Sequence, residues 1–205
     1  MEFDALILAG GRSSRLGGVP KAQLVYDGAT LLSRSLAAAA GAGAAVVVGP
    51  DSGALPPAVL TCREEPAFAG PAAAIAAGLA ALDHARGPLR AGMTLILACD
   101  MPKVDQAVAA MQTALAEEST GPAGTEGIMS ASPDGRRQPL AGFYSTAALQ
   151  RAVAEKARSG GLAGASVFAL LARLDVRTVT VPAGATDDVD TWDDATALGV
   201  SRQGS

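Results

Sequence analysis

The sequence predicts a single α/β domain in which a mostly parallel mixed sheet is covered by helices on both faces, a three-layer α/β/α arrangement. Three observations lead there. Short β-branched runs alternate with longer helical ones along the chain, the order from which parallel sheets are built. The 205 residues suffice for one such unit, and neither a linker nor an internal repeat divides them. Apolar residues make up 49% and charged ones 18%, enough to bury a core and too little charge for a disordered chain. With aromatics at 3%, that core has to be built from small aliphatic side chains.

Taken in order, residues 3–8 read as a buried strand, followed by a Gly/Ser/Arg loop to about Pro20. Thr30 is placed to cap a helix through about Ala40, which Gly41 ends. Residues 44–48 form a second strand and 59–61 a short third. Pro71 stands where a first-turn proline belongs and opens a helix to about Asp83. A strand over 94–98 and a helix over 104–117 follow, then a glycine-rich loop, 119–125, that reads as mobile. Strands over 128–131 and 140–144 flank Ser132-Pro133-Asp134-Gly135, whose turn chemistry predicts a hairpin. Helices over 146–158 and 167–174, a strand over 176–181 and a last helix from Thr191 complete the domain, 1–200. The polar tail, 201–205, is expected to fray.

The composition excludes several kinds of chemistry. A net charge of −4 argues against a nucleic-acid binder. Cys62 and Cys99 are far apart and outside any CxxC pattern, so a zinc site is not predicted and a reducing cytoplasm is the simplest setting. The single histidine, His84, stands among alanines and leaves Ser-His-Asp catalysis without parts. A metal here has to be held by oxygen ligands, which points to a hard ion such as Mg²⁺. No signal-peptide core follows Met1-Glu2, and the most apolar stretch, 71–82, is too short to span a bilayer. A cytoplasmic protein with no membrane partner is expected.

The most informative stretch is Leu8-Ala9-Gly10-Gly11-Arg12-Ser13-Ser14-Arg15-Leu16-Gly17-Gly18-Val19-Pro20-Lys21. Glycines directly after a strand let the backbone approach a ligand and aim several N–H groups at it. Arg12, Arg15 and Lys21 add full charges suited to a triphosphate. The loop ends in neither Gly-Lys-Ser nor Gly-Lys-Thr and lacks Gly-x-Gly-x-x-Gly, so it is neither a Walker A loop nor a dinucleotide fingerprint. A second feature is Asp100, two residues past the predicted strand 94–98, with Pro102 preventing a helix from starting over it. That puts a carboxylate at the carboxyl edge of the sheet, near the loop, where it suits a Mg²⁺ bound to phosphates or, more plainly, a helix cap.

These residues resemble a known family. Leu-Ala-Gly-Gly-x-Ser-x-Arg-Leu-Gly with a lysine four residues on is similar to the signature of nucleotidyltransferases that include the molybdenum cofactor guanylyltransferases. The resemblance recurs at Glu64-Glu65 before Gly70-Pro71, at Cys99-Asp100-Met101-Pro102, at Arg137-Gln138-Pro139-Leu140 and at Asp188-Val189-Asp190-Thr191. It implies a Rossmann-like fold and transfer of GMP from Mg-GTP to the terminal phosphate of molybdopterin, releasing pyrophosphate. It further implies that Leu8, Ala9, Gly10, Gly11, Arg12, Lys21, Gly49, Glu65, Gly70 and Asp100 hold the nucleotide. Lys21, Arg15 and Asp100 would be the catalytic residues, and transient contact with cofactor-loading proteins or molybdoenzymes would follow.

Glu65 matches the acidic position that reads guanine in the family, since a carboxylate can accept from both N1–H and the exocyclic amine. Glu64 beside it offers the same chemistry. The Gly10-Gly11 pair also favours guanine by resemblance, because cytidylyl-transferring relatives usually carry alanine first. Asp188 and Asp190 depart from the asparagines common in the guanylyltransferases. Relatives with other substrates more often carry aspartates, which makes Asp190 a second candidate metal ligand beside Asp100. Thr191 to Asp194 also fits a capping box, a purely structural use of this acidic run. Ala74 replaces a usual glycine, and Pro20 replaces a frequent acid before the lysine. His84 reads as a surface residue, the cysteines as small apolar ones, and Trp192 as an anchor for the last helix. Arg136 and Arg137 sit on the predicted turn, where the resemblance makes either a candidate contact to the acceptor's phosphate. Two alternatives remain open: a related transferase using CTP or UTP with a sugar or polyol phosphate, and a catalytically silent nucleotide-binding module.

Overall fold

The computed structural model describes residues 1–50, 55–118 and 125–202. In chain order these form β1 (Phe3–Leu8), the short strands β2 (Val25–Tyr26) and β3 (Ala29–Thr30), α1 (Leu31–Ala38), β4 (Ala45–Val48) and β5 (Val59–Cys62). Then come α2 (Pro71–Arg86), β6 (Met93–Ala98), α3 (Val104–Glu118), β7 (Gly127–Ala131) and β8 (Arg137–Ser145). The remainder is α4 (Thr146–Ser159), α5 (Val167–Leu171), β9 (Val176–Thr180) and α6 (Trp192–Leu198). The main sheet runs β5-β4-β1-β6-β8-β7-β9. β8 is antiparallel to β6 and β7, while the other pairings are parallel.

Alternation along the strands sorts the core into two layers. Ala5, Ile7, Val47, Leu95 and Leu97 pack with Leu32 of α1 and Val104, Val108 and Met111 of α3. Leu6, Leu8, Val46, Val48 and Ile96 pack with Ile75 and Leu79 of α2, Leu149 of α4 and Leu170 of α5. Both faces of the sheet are therefore covered, as a parallel sheet requires, and the expected three layers are present. The alanine-rich α2 lies close to the strands. A Cβ at Gly78 would come within 2.8 Å of Leu6 Cδ2, so the helix could not sit at this depth with a larger residue.

Capping follows the sequence. Thr30 Oγ1 accepts from the Ser33 amide at 3.1 Å, Pro71 occupies the first turn of α2, and Thr191 and Asp194 form a reciprocal capping box. Several ends differ from expectation: α1 stops at Ala38, α2 runs on to Arg86, and α5 closes at Leu171. The predicted hairpin is β7–β8, but β8 begins earlier, at Arg137. Its register slips, pairing Met129 with Gly142 and then Ser130 with Gln138. The bulge holds Pro139, which has no N–H for a ladder, and Tyr144 donates its hydroxyl to the Pro139 carbonyl at 2.7 Å.

The β2–β3 hairpin is not anticipated. Asp27 (φ 49°) and Gly28 (φ 76°) form its turn, and Asp-Gly was the available signal. The predicted mobile loop lies, but for Thr125, outside the described residues. Of the expected tail, 203–205 lie outside the described residues, and Ser201 exchanges backbone hydrogen bonds with Val25 at 2.8 and 2.9 Å. A third cluster explains this order, since Leu16, Leu24, Leu31, Val189, Ala195 and Val200 pack together. It joins the loop after β1, the small hairpin and α6. Among the described residues, no helix is long and apolar enough to cross a membrane.

Candidate active site

β1 lies between β4 and β6, and the chain fills the β4 side before it crosses to β6. This reversal opens a crevice at the carboxyl ends of β1 and β6, the usual ligand position in such sheets. A cleft of about 340 Å³ lies there, lined by Leu8, Gly10, Gly11, Arg12, Lys21, Glu64, Phe68, Gly70, Pro71, Ala74, Ala98, Cys99, Asp100 and Leu140.

The glycine-rich loop is held from beneath. Leu16 sits in a short 3-10 turn (Ser14–Leu16) and is fully buried in the third cluster. Ala22 and Leu24 are buried in the turn that follows Pro20, which directs Lys21 back toward the sheet edge. Gly49 does not line the cleft. A Cβ there would stand 2.9 Å from the Gly10 nitrogen, so its bareness lets β4 pass directly behind the loop.

Lys21 Nζ donates to Asp100 Oδ2 at 2.9 Å and to Asp190 Oδ1 at 2.5 Å. Burial works against the Lys21 ammonium, but the charges and hydrogen bonds of Asp100 and Asp190 outweigh it and hold its pKa above the ordinary lysine range. Asp100, Asp188 and Asp190 offer carboxylate oxygens that all lie within 4.8 Å of one another. Burial, and then the neighbouring Asp100 and Asp190 charges, push the Asp188 carboxyl up from its usual range. Arg15 is exposed, its Nη1 3.8 Å from Asp190 Oδ2. Arg136 pairs with Asp187 at 3.4 Å and Asp188 at 3.8 Å, and Arg137 lies over the ring of Phe168 at 5.4 Å. Hard oxygen donors clustered beside two lysine–carboxylate contacts fit a divalent cation of the magnesium or manganese type.

Of the residues expected to hold the nucleotide, Leu8, Gly10, Gly11, Arg12, Lys21, Gly70 and Asp100 line the cleft. Ala9, Gly49 and Glu65 do not. Glu65 is exposed and precedes Pro66 on the outside of the β5–α2 loop, whereas Glu64 is only 6% exposed and faces the cleft. Glu64 Oε1 accepts from the Phe68 amide at 3.0 Å, and Oε2 is buried with no hydrogen-bond partner among the described residues. Of the acidic pair the sequence singles out, it is thus Glu64 and not Glu65 that turns to the cleft, because adjacent loop residues point apart and spacing alone does not say which turns inward. Phe68 is missed altogether. Its signal was an aromatic in a loop of a chain poor in aromatics. Cys99, read as apolar filler, does line the cleft, and burial, then the Asp100 charge, push its thiol far up.

The fold recurs in solved structures. Molybdopterin-guanine dinucleotide biosynthesis protein A from Archaeoglobus fulgidus superimposes with a TM-score of 0.66 at 20% identity, over 97% of this chain and 96% of that one. The 2-C-methyl-D-erythritol 4-phosphate cytidylyltransferase of Thermus thermophilus gives 0.61 at 22% identity, over 97% of each chain. A Mycobacterium tuberculosis protein solved in complex with manganese gives 0.63 at 22%, over 96% of each. No curated protein matches the sequence. The sequence pattern of the MobA-like NTP transferase domain, however, matches residues 5–179. With its glycine-rich loop, lysine and aspartates gathered at one sheet edge, the chain belongs to the MobA-like NTP transferase family and is a nucleotidyltransferase.

Proposed function

We propose that the protein transfers GMP from Mg-GTP to the terminal phosphate of molybdopterin and releases pyrophosphate. The observation that carries the choice of base is Glu64: a buried carboxylate on the cleft wall with one oxygen lacking a partner among the described residues. Guanine N1–H and its exocyclic amine would together donate to such a group, and neither adenine nor a pyrimidine presents that pair of donors. Gly10 beside it supports the reading, since even a Cβ there would stand 4.0 Å from Glu64 Oε1, leaving room for a flat base edge.

The amides of Gly10 and Gly11 and the cations of Lys21 and Arg15 orient the triphosphate. An oxygen of the acceptor's phosphate attacks the α-phosphorus, and the bond to the β-phosphate oxygen breaks. That oxygen is already anionic, so no general base is required, and catalysis rests on alignment and charge stabilisation. Asp100, with Asp190 and Asp188, would hold the Mg²⁺, which screens charge on the reacting phosphates. Arg136, which pairs with Asp187 and Asp188 at this edge, or its neighbour Arg137 would receive the acceptor's phosphate.

A second reading keeps the chemistry and changes the substrates to CTP or UTP with a sugar or polyol phosphate. The aspartates at 188 and 190 favour it, as does likeness to a cytidylyltransferase. Pyrophosphate release measured with each of the four nucleoside triphosphates, with and without molybdopterin, separates the two. Release that needs GTP and the pterin together supports the first. Release with CTP or UTP and a phosphorylated polyol replaces it with the second.

A further inference from the structure

Phe68 sits where its backbone is ill at ease. Its φ of 61° lies in the left-handed region, which a bulky side chain disfavours and glycine accepts freely. Contacts on both sides hold it there. Its amide is fixed by Glu64 Oε1 at 3.0 Å, and the next residue, Ala69, is buried and accepts from the Gly164 amide at 2.7 Å. The ring is nonetheless 44% exposed and lines the cleft. Arg12 and Arg63 place their guanidinium carbons 5.4 and 5.3 Å from its centroid, within cation–π range. Arg12 comes from the glycine-rich loop and Phe68 from the β5–α2 loop, so their contact bridges the mouth of the cleft. The Glu64 carboxylate that accepts from the Phe68 amide faces the same space.

A strained, exposed aromatic locked to a cleft wall is poor use of a phenylalanine for folding alone. We propose that Phe68, with the guanidinium of Arg12, is a stacking clamp for the heterocyclic base of the nucleotide. This rests on the cleft being the nucleotide site but not on the base being guanine, because every base has a π-face to stack. The clamp sets affinity for the nucleoside half of the ligand, while the loop and Lys21 set affinity for its phosphates.

Calorimetry on the Phe68→Gly and Phe68→Tyr variants tests this, with GTP, CTP and inorganic triphosphate as the probes and Mg²⁺ present. In Phe68→Gly the melting temperature stays level or rises, since glycine suits the backbone. Affinity for the preferred nucleotide falls by about tenfold, the scale of a lost base–aromatic stack, while triphosphate affinity stays within about twofold. Phe68→Tyr keeps nucleotide affinity. Equal losses for triphosphate and nucleotide, or no loss for either, overturn the clamp. If wild-type protein prefers CTP, the guanine reading fails, yet Phe68→Gly must still weaken CTP for the clamp to stand.

Discussion

The amide of Val189 donates to the carbonyl of Asp100 at 3.0 Å. This one backbone bond sews the segment before α6 onto the end of β6. Because Val189 is fully buried, the residues on either side of it, Asp188 and Asp190, are brought to Asp100 as a pair. Three carboxylates from two distant stretches thus share one point in space, two of them, Asp100 and Asp190, bound to Lys21.

Replacing Asp100 with alanine should therefore remove transfer and keep the fold. Pyrophosphate release is expected to fall by about 10²–10³-fold, the scale of losing a principal electrostatic group at a reacting centre, with an unchanged circular dichroism spectrum. Lys21 retains Asp190 as a partner, so collapse of the site is not expected. Near-normal turnover in this variant would sink the assignment.

Asp188 reports on the same cluster through stability. It is half-buried beside two like charges, a position that penalises its ionised form. Asp188→Asn should raise the melting temperature of the metal-free protein by about 2–4 °C, the shift that roughly 1 kcal/mol gives in a chain of this size. Added Mg²⁺ should stabilise the wild type more than the variant, and equal shifts would take Asp188 out of the cation's reach.

The two glutamates should behave oppositely. Glu64→Gln is expected to cut the preference for GTP over ATP by about tenfold or more, as an amide cannot accept from both guanine donors. Glu65→Gln should change it less than about twofold, because Glu65 is exposed and away from the cleft. Competition assays on both variants decide between them, and a reversed result would restore Glu65.

Tyr144 supplies a pH test. Burial raises its hydroxyl well above the ordinary tyrosine range, so the folded protein keeps that proton where the unfolded chain has lost it. Its contribution to stability is full below about pH 10, the unfolded value, and is lost as pH rises further. Tyr144→Phe gives up the hydrogen bond to Pro139, a cost of about 1 kcal/mol at pH 7. Denaturant curves for the two proteins should converge above about pH 10, and parallel curves would contradict this.

The layering and the glycine-rich loop at the sheet edge were legible because they rest on local patterns: alternation of strands and helices, glycines after a strand, a proline at a helix start. What escaped depended on contacts that residue spacing does not encode. Whether Glu64 or Glu65 turns inward is decided by a hydrogen bond to Phe68 and burial of the neighbouring backbone. Gly49 stands outside the cleft lining, where a Cβ would meet the backbone of Ala9 and Gly10. Ser201 looked like loose tail and is paired, because the apolar residues just before it complete a cluster begun at Leu16.

That cluster has a consequence for how the protein matures. Lys21 and Asp190 are 169 residues apart in sequence yet in direct contact, and the loop bearing Lys21 rests on Val189, Ala195 and Val200. β4 and β6 both pair with β1 without any residue of that segment. The meeting of Lys21 with Asp190 therefore waits on a long-range docking step, in which residues 189–200 close against the loop after β1.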